Sequence, residues 1–329
     1  MDISLVIDYL LFLPGFYLLI KGADILVDGA SSLAKRLKVS DLVIGLTIVA
    51  FGTSAPELAV NISASYKGQT GIAISNVLGS NIANILLILG VSSIIRNVTV
   101  KENTVWKEIP FSLLAAIIVF LQANDVFFGA GTKNQISRND GLEMLAFFII
   151  FLYYIFSIAK EENIFEDEIP KLQLSLGKSI IYIIIGLILL PLGSDWVVNG
   201  AVRVAKFFGI SEAYIGLTIV AIGTSLPEMA TSIVALYKKN SDISIGNVVG
   251  SNIFNVFLIL GTSSVIRPLE FSTKNNVDVV MTVLASLILF FSLFVGKKHE
   301  VERSQGILFL LIYIIYLIFR AYIDLQNIP

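Results

Sequence analysis

Ile44-Gly-Leu-Thr-Ile-Val-Ala-Phe-Gly-Thr-Ser-Ala-Pro-Glu57 occurs twice in this chain, returning as Ile215-Gly-Leu-Thr-Ile-Val-Ala-Ile-Gly-Thr-Ser-Leu-Pro-Glu228. The shift is 171 positions, from 44 to 215. Each copy sets a carboxylate, a Thr-Ser pair and a proline into an otherwise apolar stretch of membrane-crossing length. A carboxylate in hydrocarbon is costly, so an intramembrane glutamate marks a functional site. Two of them in two internal repeats point to an ion or substrate pathway at the repeat interface.

The surroundings agree. Of the 329 residues, 56% are hydrophobic and 15% charged, and mean hydropathy is +0.84. A soluble domain is less apolar and more charged. Apolar runs of about 20 residues, enough to cross the hydrocarbon, follow one another along the whole length. The sequence predicts ten spans, near 4–34, 40–66, 71–95, 104–123, 141–160, 175–205, 211–237, 242–266, 277–296 and 304–325. The connections are short, and none has room for a separate soluble domain. The N-terminus lacks a basic n-region and a small-residue cleavage site, so it reads as the first span. With no cysteine, thiolate metal sites and disulfides are excluded. The single histidine, His299, reads as a loop residue, and a net charge of −2 gives no case for nucleic acid.

The repeat is ungapped beyond the opening motif. Gly22, Asp24, Gly29 and Ala30 match Gly193, Asp195, Gly200 and Ala201. Asn76-Val-Leu-Gly-Ser-Asn-Ile-Ala-Asn84 matches Asn247-Val-Val-Gly-Ser-Asn-Ile-Phe-Asn255. Five spans per half is odd, so the second half enters the membrane from the opposite side. The expected fold is an all-α integral membrane protein: ten transmembrane helices in two inverted five-helix repeats. The first half covers 1–160, a short cytoplasmic linker 161–174, and the second half 175–329. With the N-terminus outside, fourteen Lys and Arg fall at cytoplasmic span ends and eight at outer ends. That bias places both termini outside a cell membrane.

Proline has no N–H, so Pro56 deprives the Gly52 carbonyl, four residues back, of its helical partner. Carbonyls near Ala50–Gly52 can then turn toward a cation, and such breaks are tolerated at membrane depth only inside protein or along a cavity. Thr53, Ser54 and Glu57 are three or four apart and share one face. Ala221, Gly223, Thr224, Ser225 and Glu228 repeat the arrangement. The next helix adds Ser80 and Asn84, and its counterpart Ser251 and Asn255. Together they offer two carboxylates, hydroxyls, amide oxygens and carbonyls, with no sulfur or imidazole. Hard cations such as calcium, sodium and magnesium take all-oxygen sets, and softer metals prefer the ligands missing here. Calcium accepts about 6–8 oxygens in flexible geometry, and two carboxylates neutralise it; magnesium dehydrates reluctantly. Ser63, Ser92, Ser93, Ser263 and Ser264 read as packing residues, as do Gly45, Gly79, Gly216 and Gly250. Asp24 and Asp195 read equally as lining an access path or facing water at a helix end.

Gly-Thr-Ser-x-Pro-Glu at 52–57 and 223–228, followed by Gly-Ser-Asn-Ile-x-Asn at 79–84 and 250–255, resembles the alpha-repeats of the sodium/calcium exchanger family, within the calcium/cation antiporter superfamily. The layout extends that resemblance over essentially the full chain. It implies exchange of calcium for sodium by alternating access, with the long first and sixth spans sliding over the core. The ligands it implies are Glu57, Glu228, Thr53, Ser54, Thr224, Ser225, Ser80, Ser251, Asn84 and Asn255, with the carbonyls of Ala50 and Ala221. Potassium-dependent members carry Asp where Asn255 stands, so Asn here implies no potassium requirement. Ser75 departs from the glycine usual there, which Gly246 keeps.

The expected function is therefore sodium/calcium antiport at a midplane site, with Ca2+ and Na+ as cargo and the lipid bilayer as surroundings. No enzymatic activity, cofactor or obligate protein partner is expected. The alternative is antiport of calcium or another divalent ion against protons, since a buried glutamate can carry a proton. Proton-coupled relatives resemble a Gly-Asn-x-x-Glu pattern instead. A passive cation channel fits inverted repeats and broken helices less well.

Overall fold

The computed structural model of the chain describes residues 3–129, 131–161, 174–208 and 221–325, and helix dominates them. Among the described residues, seven helices are long and apolar enough to cross a membrane: Thr70–Ile95, Glu102–Ala123, Arg138–Ala159, Leu176–Phe207, Ser241–Ile266, Thr273–Ser292 and Arg303–Ile323. A bent pair, Asp41–Thr53 and Ala55–Lys67, turns by 46° at its break and makes an eighth. These eight fall on eight of the ten expected spans. The expected span 4–34 lies in a helix of 35 residues, Ile3–Leu37. The expected span 211–237 begins outside the described residues; its described part is Ala221–Gly223 and Leu226–Tyr237. The expected linker, 161–174, also lies almost wholly outside them.

Helix is the solution these apolar runs allow, because it satisfies every backbone group within the segment. Side chains mark the starts. Ser40 Oγ accepts from the Val43 N–H at 3.3 Å, and Asn240 Oδ1 from the Ile243 N–H at 3.0 Å. Gly68, at φ 75°, closes the Ala55–Lys67 helix in the left-handed conformation.

Burial sorts the helices into centre and rim. In Ser241–Ile266, 94% of the most apolar window is buried, and in Thr70–Ile95 72%, against 17% in Arg138–Ala159 and in Arg303–Ile323. The first two helices form the core. The last two turn Ile149, Tyr153, Phe156, Ile314, Ile315 and Ile318 outward, where lipid is as good a solvent as leucine. Each rim helix is fastened by a glycine over small residues. Gly141 lies on Gly261 and Ser264, and Gly306 on Gly90 and Ser93. Ser93, Ser263 and Ser264 bond their own helix carbonyls, as packing serines do. Gly250 lies against Ala50 and Leu46, and Gly45 against Ile243, whereas Gly79 meets nothing within 4 Å. Gly246 seats on Gly45 and Leu46, while Ser75 is exposed.

The two longest helices, Ile3–Leu37 and Leu176–Phe207, run antiparallel along a glycine seam. Gly15 meets Gly193, Gly22 meets Leu190, and Gly29 meets Ile183; from the other side Gly200 meets Phe12. Glycines recur every seventh residue in both helices, at 15, 22, 29 and 186, 193, 200, so one stripe faces the other throughout. A Cβ on Gly186 would stand 2.7 Å from the Leu26 Cβ and 2.8 Å from the Gly22 carbonyl oxygen. The latter is backbone and cannot yield. Gly186→Ala therefore destabilises the protein by about 1–3 kcal/mol, the usual cost of overpacking. Gly177→Ala, with nothing within 4 Å, leaves stability unchanged. Thermal unfolding in detergent checks the pair.

The structure also contains short strands that the all-α expectation lacked. Val98–Thr99 pairs antiparallel with Glu300–Val301, and Gln135–Ile136 with Leu269–Glu270. They are too short to show as alternation in sequence. They form because connecting loops from the two halves emerge side by side and satisfy each other's backbone groups.

Candidate functional site

The site begins with the break that proline forces. Helix stops at Thr53 and restarts at Ala55, with Pro56 in the first turn where its missing N–H costs nothing. Ser54 between them sits at φ −85°, ψ 5°, and Ser225 at φ −88°, ψ 3°. The same hinge is thus built in both copies. Helices nearby widen to π geometry at Gly45–Val49, Ala83–Ile88 and Phe254–Leu260, a distortion common at functional sites. The last two segments start at corresponding repeat positions, 83 and 254.

These distortions gather the polar residues in the middle of the most buried helices. Ser54 Oγ lies 3.0 Å from both Glu228 Oε1 and Ser251 Oγ. Ser225 Oγ lies 3.4 Å from Ser80 Oγ, which also accepts from Asn255 Nδ2 at 3.1 Å. Glu57 is within Coulombic range of Glu228. Glu57, Glu228, Asn84, Asn255 and Ser251 are fully buried, and Thr53, Ser54, Ser80 and Ser225 nearly so. Thr224 is half-buried and lines a cavity of about 170 Å³ with Pro56, Val60, Asp195 and Pro227. Asp195 therefore shares a cavity with Thr224. Asp24, its counterpart, lines a cavity of about 310 Å³ and is paired with Lys21 and Lys238.

The backbone groups at the break can be followed one by one, beginning at Ala50. Its carbonyl accepts from the Ser54 N–H at 3.0 Å and lies 3.3 Å from Thr53 Oγ1. Pro56 removes the donor owed to Gly52, not the one owed to Ala50. In the second half the Ser225 N–H donates to the Ile222 carbonyl at 3.1 Å. The Gly223 carbonyl, which Pro227 deprives, accepts from Ser194 Oγ at 2.6 Å. Ala23 stands at the position equivalent to Ser194 and has no hydroxyl to offer Gly52.

Sequence reasoning assigned no role to three buried asparagines. Asn247 donates to the Glu228 carbonyl at 3.2 Å and to Ser232 Oγ at 3.0 Å, and accepts from Thr53 Oγ1 at 3.0 Å. It ties both broken helices to one amide. Asn81 and Asn252 cross between the halves beside Asn84 and Asn255. All three stand inside the repeated nine-residue stretch, which was the signal available.

Among the described residues, five buried oxygens here have no hydrogen-bond partner: Glu57 Oε1 and Oε2, Glu228 Oε2, Asn84 Oδ1 and Asn255 Oδ1. An unpaired buried acceptor costs about 1–3 kcal/mol, and more when charged. Three of the five are on the two carboxylates and two on amides, a set of acceptors that suits a positive ion. Their chemistry is that of a hard cation.

Membrane-length helices broken around a buried, doubly acidic, all-oxygen cluster define an ion-transport protein. Comparison with known proteins makes this specific: the chain belongs to the sodium/calcium exchanger protein family, whose profile matches residues 7–157 and 178–322. The putative antiporter CaxA of Alkalimonas amylolytica is 36% identical over 312 residues, covering 92% of this chain and 95% of that protein. The sodium/calcium exchanger MaX1 of Methanosarcina acetivorans is 30% identical over 348 residues, covering 96% and 99%. A solved structure of the sodium-calcium exchanger NCX_Mj, soaked with Na+ and Sr2+, superposes with a TM-score of 0.79 at 37% identity, covering 96% of this chain and 98% of that one.

Proposed function

We propose that this protein exchanges one Ca2+ for several Na+ across a cell membrane by alternating access. The observation that carries the reading is the set of five unpartnered buried oxygens around Glu57 and Glu228. The ligand set comprises both glutamates, Thr53, Ser54, Thr224, Ser225, Ser80, Ser251, Asn84 and Asn255, with the carbonyls of Ala50 and Ala221. Calcium and sodium compete for the same oxygens. Either load neutralises the two carboxylates, and a neutral site passes an apolar barrier that a doubly charged one does not. That coupling enforces exchange. If more than two sodium ions move per calcium, each net charge is driven by about 2.3 kcal/mol per 100 mV.

The scaffold for this cycle is ten spans in two inverted halves, 1–160 and 175–329, with both termini outside. Reciprocal contacts support it. Ser54 meets Ser251 while Ser225 meets Ser80, and Asn84 meets Asn252 while Asn255 meets Asn81. Each pair is the other with the halves exchanged, as a two-fold axis requires. The strands agree, because 98–99 and 269–270 are repeat counterparts that pair with different loops. With the N-terminus outside, the cavity holding Val60 and Asp195 opens outward.

Calcium-45 uptake into proteoliposomes loaded with sodium, potassium or choline, with and without a pH gradient, tests the reading. Uptake that needs internal sodium and ignores potassium and pH supports it. Uptake driven by the pH gradient without sodium replaces it with proton-coupled antiport. Current with no counter-ion replaces it with a channel.

A further inference from the structure

An amide ligand works only with its oxygen toward the cation, yet an asparagine side chain can turn either end inward. Here each ligand amide is held by an asparagine of the opposite half. Asn84 Nδ2 donates to Asn252 Oδ1 at 2.9 Å, and Asn255 Nδ2 donates to Asn81 Oδ1 at 2.9 Å. The holders are themselves oriented. Asn81 Nδ2 donates to the Asn252 carbonyl at 3.2 Å, and Asn252 Nδ2 to the Asn81 carbonyl at 3.4 Å. All four side chains are at most 2% exposed. With their nitrogens drawn away, Asn84 Oδ1 and Asn255 Oδ1 are left facing the site without partners among the described residues.

We propose that Asn81 and Asn252 are positioning residues that never touch the ion and set which end of the ligand amides it meets. Turning Asn84 over would set its Oδ1 against Asn252 Oδ1 and aim an N–H at the cation. The inference rests on the cation site proposed above. Asn252→Leu should raise the calcium KM several-fold with little change in maximal rate. Asn84→Asp presents oxygen whichever way it turns, so adding Asn252→Leu to it should raise KM no further. Asn81→Leu should be masked by Asn255→Asp in the same way. Calcium-induced thermal stabilisation of the purified variants gives the same comparison without transport. Additive rises in both double variants, or a native KM in Asn252→Leu, would overturn the positioning role. Absence of sodium-dependent exchange in the native protein would instead sink the cation-site reading beneath it.

The halves differ at one charged cluster, and this carries a second inference. Lys238 bonds Asp24 and Asp28, each at 2.6 Å, and Lys21 bonds Asp24 at 2.8 Å. The pairs clamp Ile3–Leu37 to the end of the Leu226–Tyr237 helix, along which it packs closely. The counterpart contact, Leu176–Phe207 on Ala55–Lys67, is sparse. A cavity of about 310 Å³ lies at the first cluster but is lined by none of the site residues, whereas the 170 Å³ cavity at the second includes Thr224. The repeat counterparts of Lys238 and Asp24 are Lys67 and Asp195. Among the described residues these two form no ion pair.

We infer that Lys238–Asp24 and Lys67–Asp195 are alternating latches: the first closes the inner side in the state described, and the second closes the outer side after the switch. Leu192 and Asn199 replace Lys21 and Asp28 at the second latch, so it is the weaker and the outward-open state is favoured. The chain has no cysteine, so Val60→Cys reports the outer cavity alone to an impermeant maleimide. Lys238→Ala should slow that labelling several-fold, and the swap Asp24→Lys with Lys238→Asp should restore it. Lys67→Asp should slow sodium/calcium exchange, and adding Asp195→Lys should recover it. Unchanged labelling in Lys238→Ala, or a Lys67/Asp195 swap no faster than Lys67→Asp alone, would overturn the latches.

Discussion

Glu57→Gln and Glu228→Gln each reduce sodium-driven calcium uptake to background, yet each raises the melting temperature of the ion-free protein. The two signs share one cause. Both carboxylates are fully buried, and three of their four oxygens lack partners among the described residues. A unit charge pair at 4 Å is worth about 4 kcal/mol at an effective dielectric near 20. Because about 1.4 kcal/mol is tenfold in affinity, removing one charge from a divalent ion costs on the order of 100-fold or more. Without the ion, the same charge is a buried liability beside a like charge, and glutamine relieves it. Calcium stabilises the native protein by binding the folded state only, and that shift disappears in both variants. Glu57→Gln should be the more severe, because Glu228 Oε1 already accepts from Ser54 and gives the ion one oxygen fewer. Flux in proteoliposomes and melting curves with and without calcium check both halves of the statement. Near-native flux in either variant would remove the two-carboxylate site.

How much of this was legible in the sequence depends on whether the cause was local. The broken helices follow from Pro56 and Pro227, whose effect on the backbone needs no tertiary context, and Ser54 and Ser225 adopt nearly the same dihedral angles in consequence. Eight of the ten expected spans were legible because hydrocarbon imposes length and apolarity on each segment alone. The glycine seam was visible as a seven-residue spacing, but which stripe it faced was not. The failures are where partners come from far along the chain. Asn81 and Asn252 are 171 residues apart, and no spacing rule says that one amide crosses to the other. The two-residue strands depend on loops meeting, not on their own residues. The difference between Asp24, held by two lysines, and Asp195, in no ion pair among the described residues, depends on distant partners, about which a repeated sequence is silent.

Asn255→Asp should turn calcium transport pH-dependent, with activity rising as pH falls. Asn255 is fully buried, and its Oδ1 faces the site without a partner among the described residues. Aspartate keeps an oxygen there and adds a charge. With Glu57 and Glu228 the site then carries three negative charges, and one calcium leaves one unbalanced. If only a neutral site crosses the apolar barrier, the loaded variant stalls until a proton or a monovalent cation supplies the missing charge. Near neutral pH the variant should therefore bind calcium more tightly than the native protein and exchange it more slowly. Lowering the pH should restore the rate, because protonation returns the site to the native balance. Potassium added on the calcium side should do the same if the enlarged charge holds a second ion. The measurement is calcium-45 flux against pH, with and without potassium, in Asn255→Asp and native proteoliposomes. A variant that exchanges at the native rate at every pH would show that the switch does not require neutrality. The coupling argument would then fail even with the ligands correctly assigned.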